Sequence, residues 1–395
     1  MENFYINDII NKRYKWKDSY IKFLNNKKME AFGEGKYKII DNKTVIAYFG
    51  GKKHCIIFNN NYTEYKSLSK NETDFISGEL IIEKNIIIIC NYDHFKKRPD
   101  KLLYYFFNYL KNNSKFNISI IEPIKKELDR IINKNSILIV FSNNFDVTNY
   151  ENHKIYWIED LYCICNYGCD GTSNKCNFYQ NHINIFNQNY DKIWYKYLTP
   201  ITKRLSIEKP DYFLKFPHTT FDPEVHKDYN LEKKYDILFF GATYIKTYPF
   251  RNRLFYILHK NKNKFNILFL PYTKKNSENM ITWIELYKLI NSSWLTISCC
   301  AISEVLVAKY FEIGLCGSVI CGDYPSEENE IYIKDNMILL DRKMSNSEIV
   351  NKISEALSNK SKLKEYSENL KKYISQKYMY KDGLKLFESY ITQIE

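Results

Sequence analysis

The chain lacks any long hydrophobic run. Apolar stretches such as Ile86–Cys90 stop at strand length, far short of the ~20 residues that a membrane-spanning helix needs. Nothing at the start resembles a signal peptide, since Met1-Glu2-Asn3-Phe4 runs into charged sequence with no apolar core, and a cytoplasmic protein is expected. Its ten cysteines are then expected to stay mostly reduced. No basic run interleaved with aromatics stands out, and no nucleic-acid motif is present, so nucleic acid is not an expected partner. No repeat of solenoid period is visible. Glycine is sparse, 12 residues against 35 tyrosines. With the excess of Ile, Asn and Lys, this suggests a genome poor in G and C, and it lowers the weight that any single lysine or asparagine carries.

What is present is enough for two ordinary domains: 395 residues, 45% hydrophobic and 26% charged, with a net charge of +12. The lysines are spread along the chain, a balance that favours anionic ligands through the summed field. Residues 1–78 are expected to form an N-terminal segment, helical to about residue 35, followed by an antiparallel β meander. Its strands Tyr37–Ile40, Thr44–Phe49 and His54–Phe58 are separated by Asp41-Asn42 and Gly50-Gly51. From residue 79 strands and helices alternate, as in a parallel, doubly wound sheet. A first Rossmann-like domain is placed over 79–222, and a linker punctuated by Pro210, Pro217 and Pro223 closes it. A second opens at Tyr235-Asp236-Ile237-Leu238-Phe239-Phe240-Gly241, within a domain placed over 223–377. Residues 378–395 are expected to be a helix. The fold class is therefore α/β, two Rossmann-like domains facing across a cleft behind a small β meander.

The centre of the sequence is 294–323. Trp294–Ser298 has the pattern of a buried strand, Ser303 is placed to cap a helix starting at Glu304, Gly317 to end it, and Val319–Cys321 to return as a strand. In such a crossover the ligand sits at the carboxyl ends of the strands. Glu304 and Glu312 are eight steps apart, which at ~100° per step leaves them on roughly one side of a helix. The helix mouth offers N–H groups and partial positive charge to a phosphate. Carboxylates beside it are suited to sugar hydroxyls.

Glu304-x7-Glu312, followed by Gly314, Gly317, Ser318, Val319 and Ile320, resembles the E-x7-E segment of retaining GT-B glycosyltransferases of the group 1, CgeB-like kind. The resemblance implies a metal-independent transferase that needs no cofactor. Its donor would be a nucleoside diphosphate sugar, UDP- or GDP-linked, and its acceptor the hydroxyl of a glycan, protein or lipid. It implies that Glu304 lies by the donor sugar and diphosphate, that Glu312 holds the ribose, and that the final helix crosses back onto the first domain. The absence of Asp-x-Asp, which holds Mg²⁺ or Mn²⁺ in the other main glycosyltransferase fold, agrees with metal independence.

Further candidates follow from position. Gly241 ends the strand that opens the second domain, and Lys246, Arg251 and Arg253 come after it as cations for the leaving diphosphate, Arg253 first and Arg251 second. Asp323 and Glu327 lie on the loop after the crossover. Asp160, at the carboxyl end of strand Ile155–Ile158, is a candidate acceptor contact or base. His218, at the domain junction, is a catalytic candidate expected to face the cleft, and His94 and Arg98 lie in the first β–α loop, which is expected to point into it too. Cys163, Cys165, Cys169 and Cys176, with His182 nearby, form a weak zinc candidate that lacks the usual Cys-x2-Cys knuckles; disulfides and free thiols remain open. A nucleotide-sugar epimerase of the same fold and a non-catalytic sugar- or nucleic-acid-binding protein are the alternative readings. The oligomeric state is open.

Overall fold

A computed structural model describes the eight strands between residues 13 and 81. From residue 85 it describes all but 98–101, 142–144, 159–188, 199, 219, 273–280, 303, 327–329 and 395. The chain divides into two compact units, Met1–Lys84 and Asn85–Glu395.

The N-terminal unit is a closed antiparallel barrel: β1 (Arg13–Trp16), β2 (Ser19–Phe23), β3 (Lys28–Glu30), β4 (Glu34–Ile39), β5 (Thr44–Phe49), β6 (Lys52–Phe58), β7 (Glu64–Ser69) and β8 (Ile76–Ile81). β1 closes the ring on β8, with Arg13 opposite Ile81 and Tyr14 opposite Leu80. This corrects the expectation of a helical first 35 residues. Ile21 and Phe23 are buried at a spacing of two, the period of a strand. In β4, exposed Lys36 and Lys38 flank buried Tyr37. A three-stranded meander would leave two unpaired edges, whereas closure removes them. The interior is aromatic: Tyr14 meets Phe58 edge-on at 5.0 Å, and Phe23 meets Tyr37 at 5.0 Å. Because β8 belongs to this barrel, the parallel region begins at Asn85 rather than at residue 79.

The second unit contains two parallel sheets. The first has the order β10-β9-β11-β12-β13-β14, from β9 (Asn85–Cys90), β10 (Asn117–Ile121), β11 (Ser136–Phe141), β12 (His153–Ile158), β13 (Lys192–Tyr195) and β14 (Phe213–Lys215). Ile86, Ile87, Ile88 and Ile89 are all buried, as expected of a strand covered on both faces. The second has the order β16-β15-β17-β18-β19, from β15 (Tyr235–Ala242), β16 (Ile267–Tyr272), β17 (Ser293–Ile297), β18 (Val319–Gly322) and β19 (Ile338–Leu339).

Two helices at the C-terminus join the sheets. Helix Lys360–Lys377 lays Leu370 and Ile374 into the core that holds the crossover helix Ala308–Leu315. The chain then bridges Phe221 to Met379. Helix Tyr380–Thr392 buries Phe387 and Ile391 among Phe106, Trp157 and Trp194 of the first sheet's core. Tyr390 Oη donates to the Lys215 carbonyl at 2.9 Å, anchoring the helix along that sheet.

Candidate functional site

The carboxyl ends of β15, β17, β18 and β19 lie on one side of the parallel second sheet, and buried Arg251 and Asp323 are found there, after β15 and β18. Gly241 sits at the end of β15 with φ +95, a conformation in which a Cβ would be strained. A Cβ there would come within 2.6 Å of Lys309 Nζ and 3.8 Å of Arg251 Nη1. Two cations therefore press against one bare stretch of backbone.

Neither cation is fully satisfied. Lys309 Nζ donates to the Phe240 carbonyl at 2.9 Å and lies 3.8 Å from that residue's ring centroid, using one of its three donors for a hydrogen bond. Burial and the neighbouring Arg251 hold its pKa well below the usual lysine range, with Glu312 pulling the other way. Arg251 is buried; Nη2 donates to the Cys299 carbonyl at 2.9 Å and Nη1 to that of Ala242 at 3.3 Å. Its guanidinium stacks 4.0 Å over the Tyr248 ring, and its Nε has no partner.

Arg253 goes elsewhere. Its guanidinium donates to the carbonyls of Arg342 (2.8 Å) and Met344 (2.5 Å) and to Asn346 Oδ1 (3.0 Å from Nε). Arg253, the first choice for the diphosphate, instead fastens the 342–346 loop, and Arg251 faces Gly241. Two helical steps separate the residues, so they point about 200° apart. Lys246 is exposed.

The crossover helix starts later than expected. It runs Ala308–Leu315 after Val307 in extended conformation, and Glu304 stands four residues ahead of it with φ +52. Ser303 lies outside the described residues. The non-helical stretch before it is packed inward: Val305 and Leu306 are buried, and Leu306 belongs to the core around the helix. Ile302 N–H, meanwhile, is held by the Thr247 carbonyl at 2.8 Å. The helix ends where expected, at Gly317 with φ +74; Ser318 N–H reaches back to the Ile313 carbonyl at 3.2 Å.

Glu304 is 30% exposed. It accepts from Arg342 Nη1 at 2.9 Å and from Ser326 Oγ at 2.6 Å. Arg342 Nε also donates to buried Asp323, whose second oxygen accepts the Cys300 N–H at 2.9 Å. Glu312 is buried on the helix and accepts from Tyr287 Oη at 3.3 Å, and Tyr287 in turn lies 3.0 Å from His226 Nε2. On its other side, His226 Nδ1 lies 3.1 Å from the Asp222 backbone nitrogen and 3.2 Å from the Asp222 carbonyl oxygen.

His218 does not face an open crevice. Its ring is buried between Tyr197 and Phe311, and Nε2 meets the Leu306 carbonyl at 3.0 Å. Burial, with Lys196 and Lys215 adding to it, keeps it neutral well below the usual histidine range. It braces the segment between Glu304 and the helix. His94 is exposed. Asp160, Arg98, Glu327 and the cysteines 163, 165, 169 and 176 with His182 lie outside the described residues. Among the described residues no helix is long and apolar enough to cross a membrane.

No family model matches this chain, and no curated protein matches it. Solved structures do. Sucrose-phosphate synthase from Thermosynechococcus elongatus is 8% identical, with a TM-score of 0.55 over 79% of this chain and 99% of its own. The N-terminal domain of Candida albicans trehalose-6-phosphate phosphatase is 8% identical, with a TM-score of 0.54 over 80% of this chain and 98% of its own. Anabaena HepE in complex with UDP and glucose is also 8% identical, with a TM-score of 0.51 over 79% and 100%. The fold is GT-B.

Within this GT-B chain, sequence reasoning missed Lys309 and Arg342. Lys309 carried a faint signal, a cation one turn before Glu312 in an otherwise apolar helix. Arg342 carried none, because its partners are 38 and 19 residues away.

Proposed function

We propose that the chain is a glycosyltransferase that moves a sugar from a nucleoside diphosphate sugar to an acceptor hydroxyl. The observation that carries this reading is the pair of incompletely satisfied cations, buried Arg251 and half-buried Lys309, converging on Gly241 beside a helix N-terminus. Buried cations with donors left over are costly unless an anion completes them. A diphosphate has enough oxygens for the Arg251 fork, the Lys309 ammonium and the N–H groups that open helix Ala308–Leu315.

In this arrangement Glu304 lies toward the sugar hydroxyls and Glu312 toward the ribose. As the glycosidic bond breaks, negative charge grows on the departing diphosphate, and fixed cations in a partly dry site stabilise that charge. Lys309 contributes more in the transition state than at rest, because a growing anion raises its affinity for a proton. Same-face attack with retention is the stereochemistry that the Glu304-x7-Glu312 resemblance favours.

The test is calorimetric titration of UDP-glucose, UDP-N-acetylglucosamine, GDP-mannose, ADP-glucose and dTDP-glucose. At least one should bind. Arg251→Gln and Lys309→Met should each weaken that donor more than tenfold. If no donor binds, or if both variants bind as the wild type does, the assignment is wrong.

A further inference from the structure

We infer that Arg342 is the positioning residue that sets sugar recognition, through Glu304; this rests on the donor-site reading above. Glu304 occupies a left-handed conformation, φ +52, which a non-glycine residue keeps only when its surroundings enforce it. The enforcement is visible. Arg342 reaches Glu304 Oε1 with Nη1 and Asp323 Oδ2 with Nε, and Asp323 holds the Cys300 N–H. One guanidinium thus ties together the loops that leave β17, β18 and β19.

This has two chemical consequences. Each Glu304 oxygen already has one donor, from Arg342 and from Ser326. A carboxylate has about four acceptor sites, so each oxygen keeps room for a sugar hydroxyl from a direction that the clamp dictates. Arg342 also offsets the repulsion that an ionised Glu304 would exert on the donor's diphosphate. The arginine acts on the sugar end of the ligand, while Arg251, Lys309 and Glu312 serve the nucleotide end. Its own backbone is pinned in turn, since Arg253 donates to the carbonyls of Arg342 and Met344. A lysine at 342 could reach one carboxylate but lacks the planar fork that spans both.

The experiment compares sugar nucleotides with their sugar-free forms: UDP-glucose with UDP, and GDP-mannose with GDP, titrated into wild type, Arg342→Gln and Arg342→Lys. The expected result is diphosphate affinity within twofold of wild type in both variants. The ratio of sugar-nucleotide to free-nucleotide affinity should fall at least tenfold in Arg342→Gln and recover in part in Arg342→Lys. An unchanged ratio in Arg342→Gln overturns the inference. So does an equal loss of both ligands, which would mark Arg342 as structural. If the wild type binds neither the sugar nucleotides nor UDP and GDP, the donor site itself is refuted, and the inference goes with it.

Discussion

The two ends of the second sheet both draw charged groups partly out of water, and they satisfy them differently. At the amino ends of β17 and β18, Lys233 spends all three donors on the carbonyls of Asn291 (2.7 Å), Ser293 (3.0 Å) and Gly317 (2.5 Å). Asn291 donates to Asp228 and Cys316 and accepts the Leu231 N–H, and Asp228 also takes Lys371. A cavity of about 370 Å³ lies alongside, yet Lys233, Asn291 and Asp228, which border it, are already paired. At the carboxyl ends, Arg251 Nε has no partner and Lys309 has one hydrogen bond where three are available. A saturated network holds a fold together; an incomplete one is poised for a ligand. Charge alone does not separate the two ends, but donor bookkeeping does.

Breaking the saturated end should cost the most stability. Lys233→Met leaves three buried carbonyls without their shared donor and should lower the unfolding free energy by about 3 kcal/mol, read by urea denaturation. Sugar-nucleotide affinity should stay within twofold, since the change lies at the opposite end of the strands. A comparable loss of affinity would show that the two ends are not independent.

Buried His226, hydrogen-bonded to Tyr287, which also reaches Glu312, should show as pH dependence. Burial lowers the His226 pKa from 6.5 to about 4. A histidine held neutral gives stability that is fully present above pH 6.5 and is lost as pH falls through about 4. Between pH 7 and pH 5 this amounts to about 2 kcal/mol. His226→Gln should remove that part of the acid sensitivity, seen as a smaller difference between urea unfolding curves at the two pH values. An unchanged difference would place the titration elsewhere.

At the unsaturated end the effect on stability should be smallest and the effect on ligand largest. Gly241→Ala puts a methyl group at φ +95, for a strain of about 1 kcal/mol, and displaces the Lys309 ammonium 2.6 Å away. Thermal unfolding should shift by only a few degrees, while donor affinity falls more than tenfold. Arg253→Gln should have the mildest outcome, a loss of under threefold in sugar-nucleotide affinity. Its cut bonds act only on the loop that carries Arg342. A loss as large as that of Arg251→Gln would return Arg253 to direct contact with the diphosphate.

The parallel sheets were legible because their signals are local. Isoleucine runs such as Ile86–Ile89 and Gly317 as a helix stop each act within a few residues, whereas β14 lies between Pro210 and Pro217, inside the expected linker. The meander was legible in its three strands and not in its closure, because β1 finds β8 across more than 60 residues of chain. Glu304 and Glu312 could be picked out by spacing, but that spacing was read as one continuous helix. In the fold the helix covers only the second half of the interval, and the non-helical first half buries Val305 and Leu306 in tertiary contacts that spacing along the chain does not report.

The sequence by itself determined an alternating α/β chain with an acidic crossover near residue 308, since periodicity, capping and turn chemistry depend on neighbours along the chain. Only the tertiary structure decided that Arg251 rather than Arg253 faces Gly241, that Lys309 joins it, and that Arg342 holds Glu304. Those choices depend on which carbonyls and carboxylates are brought within 3 Å of each donor, and folding brings those groups in from distant parts of the chain.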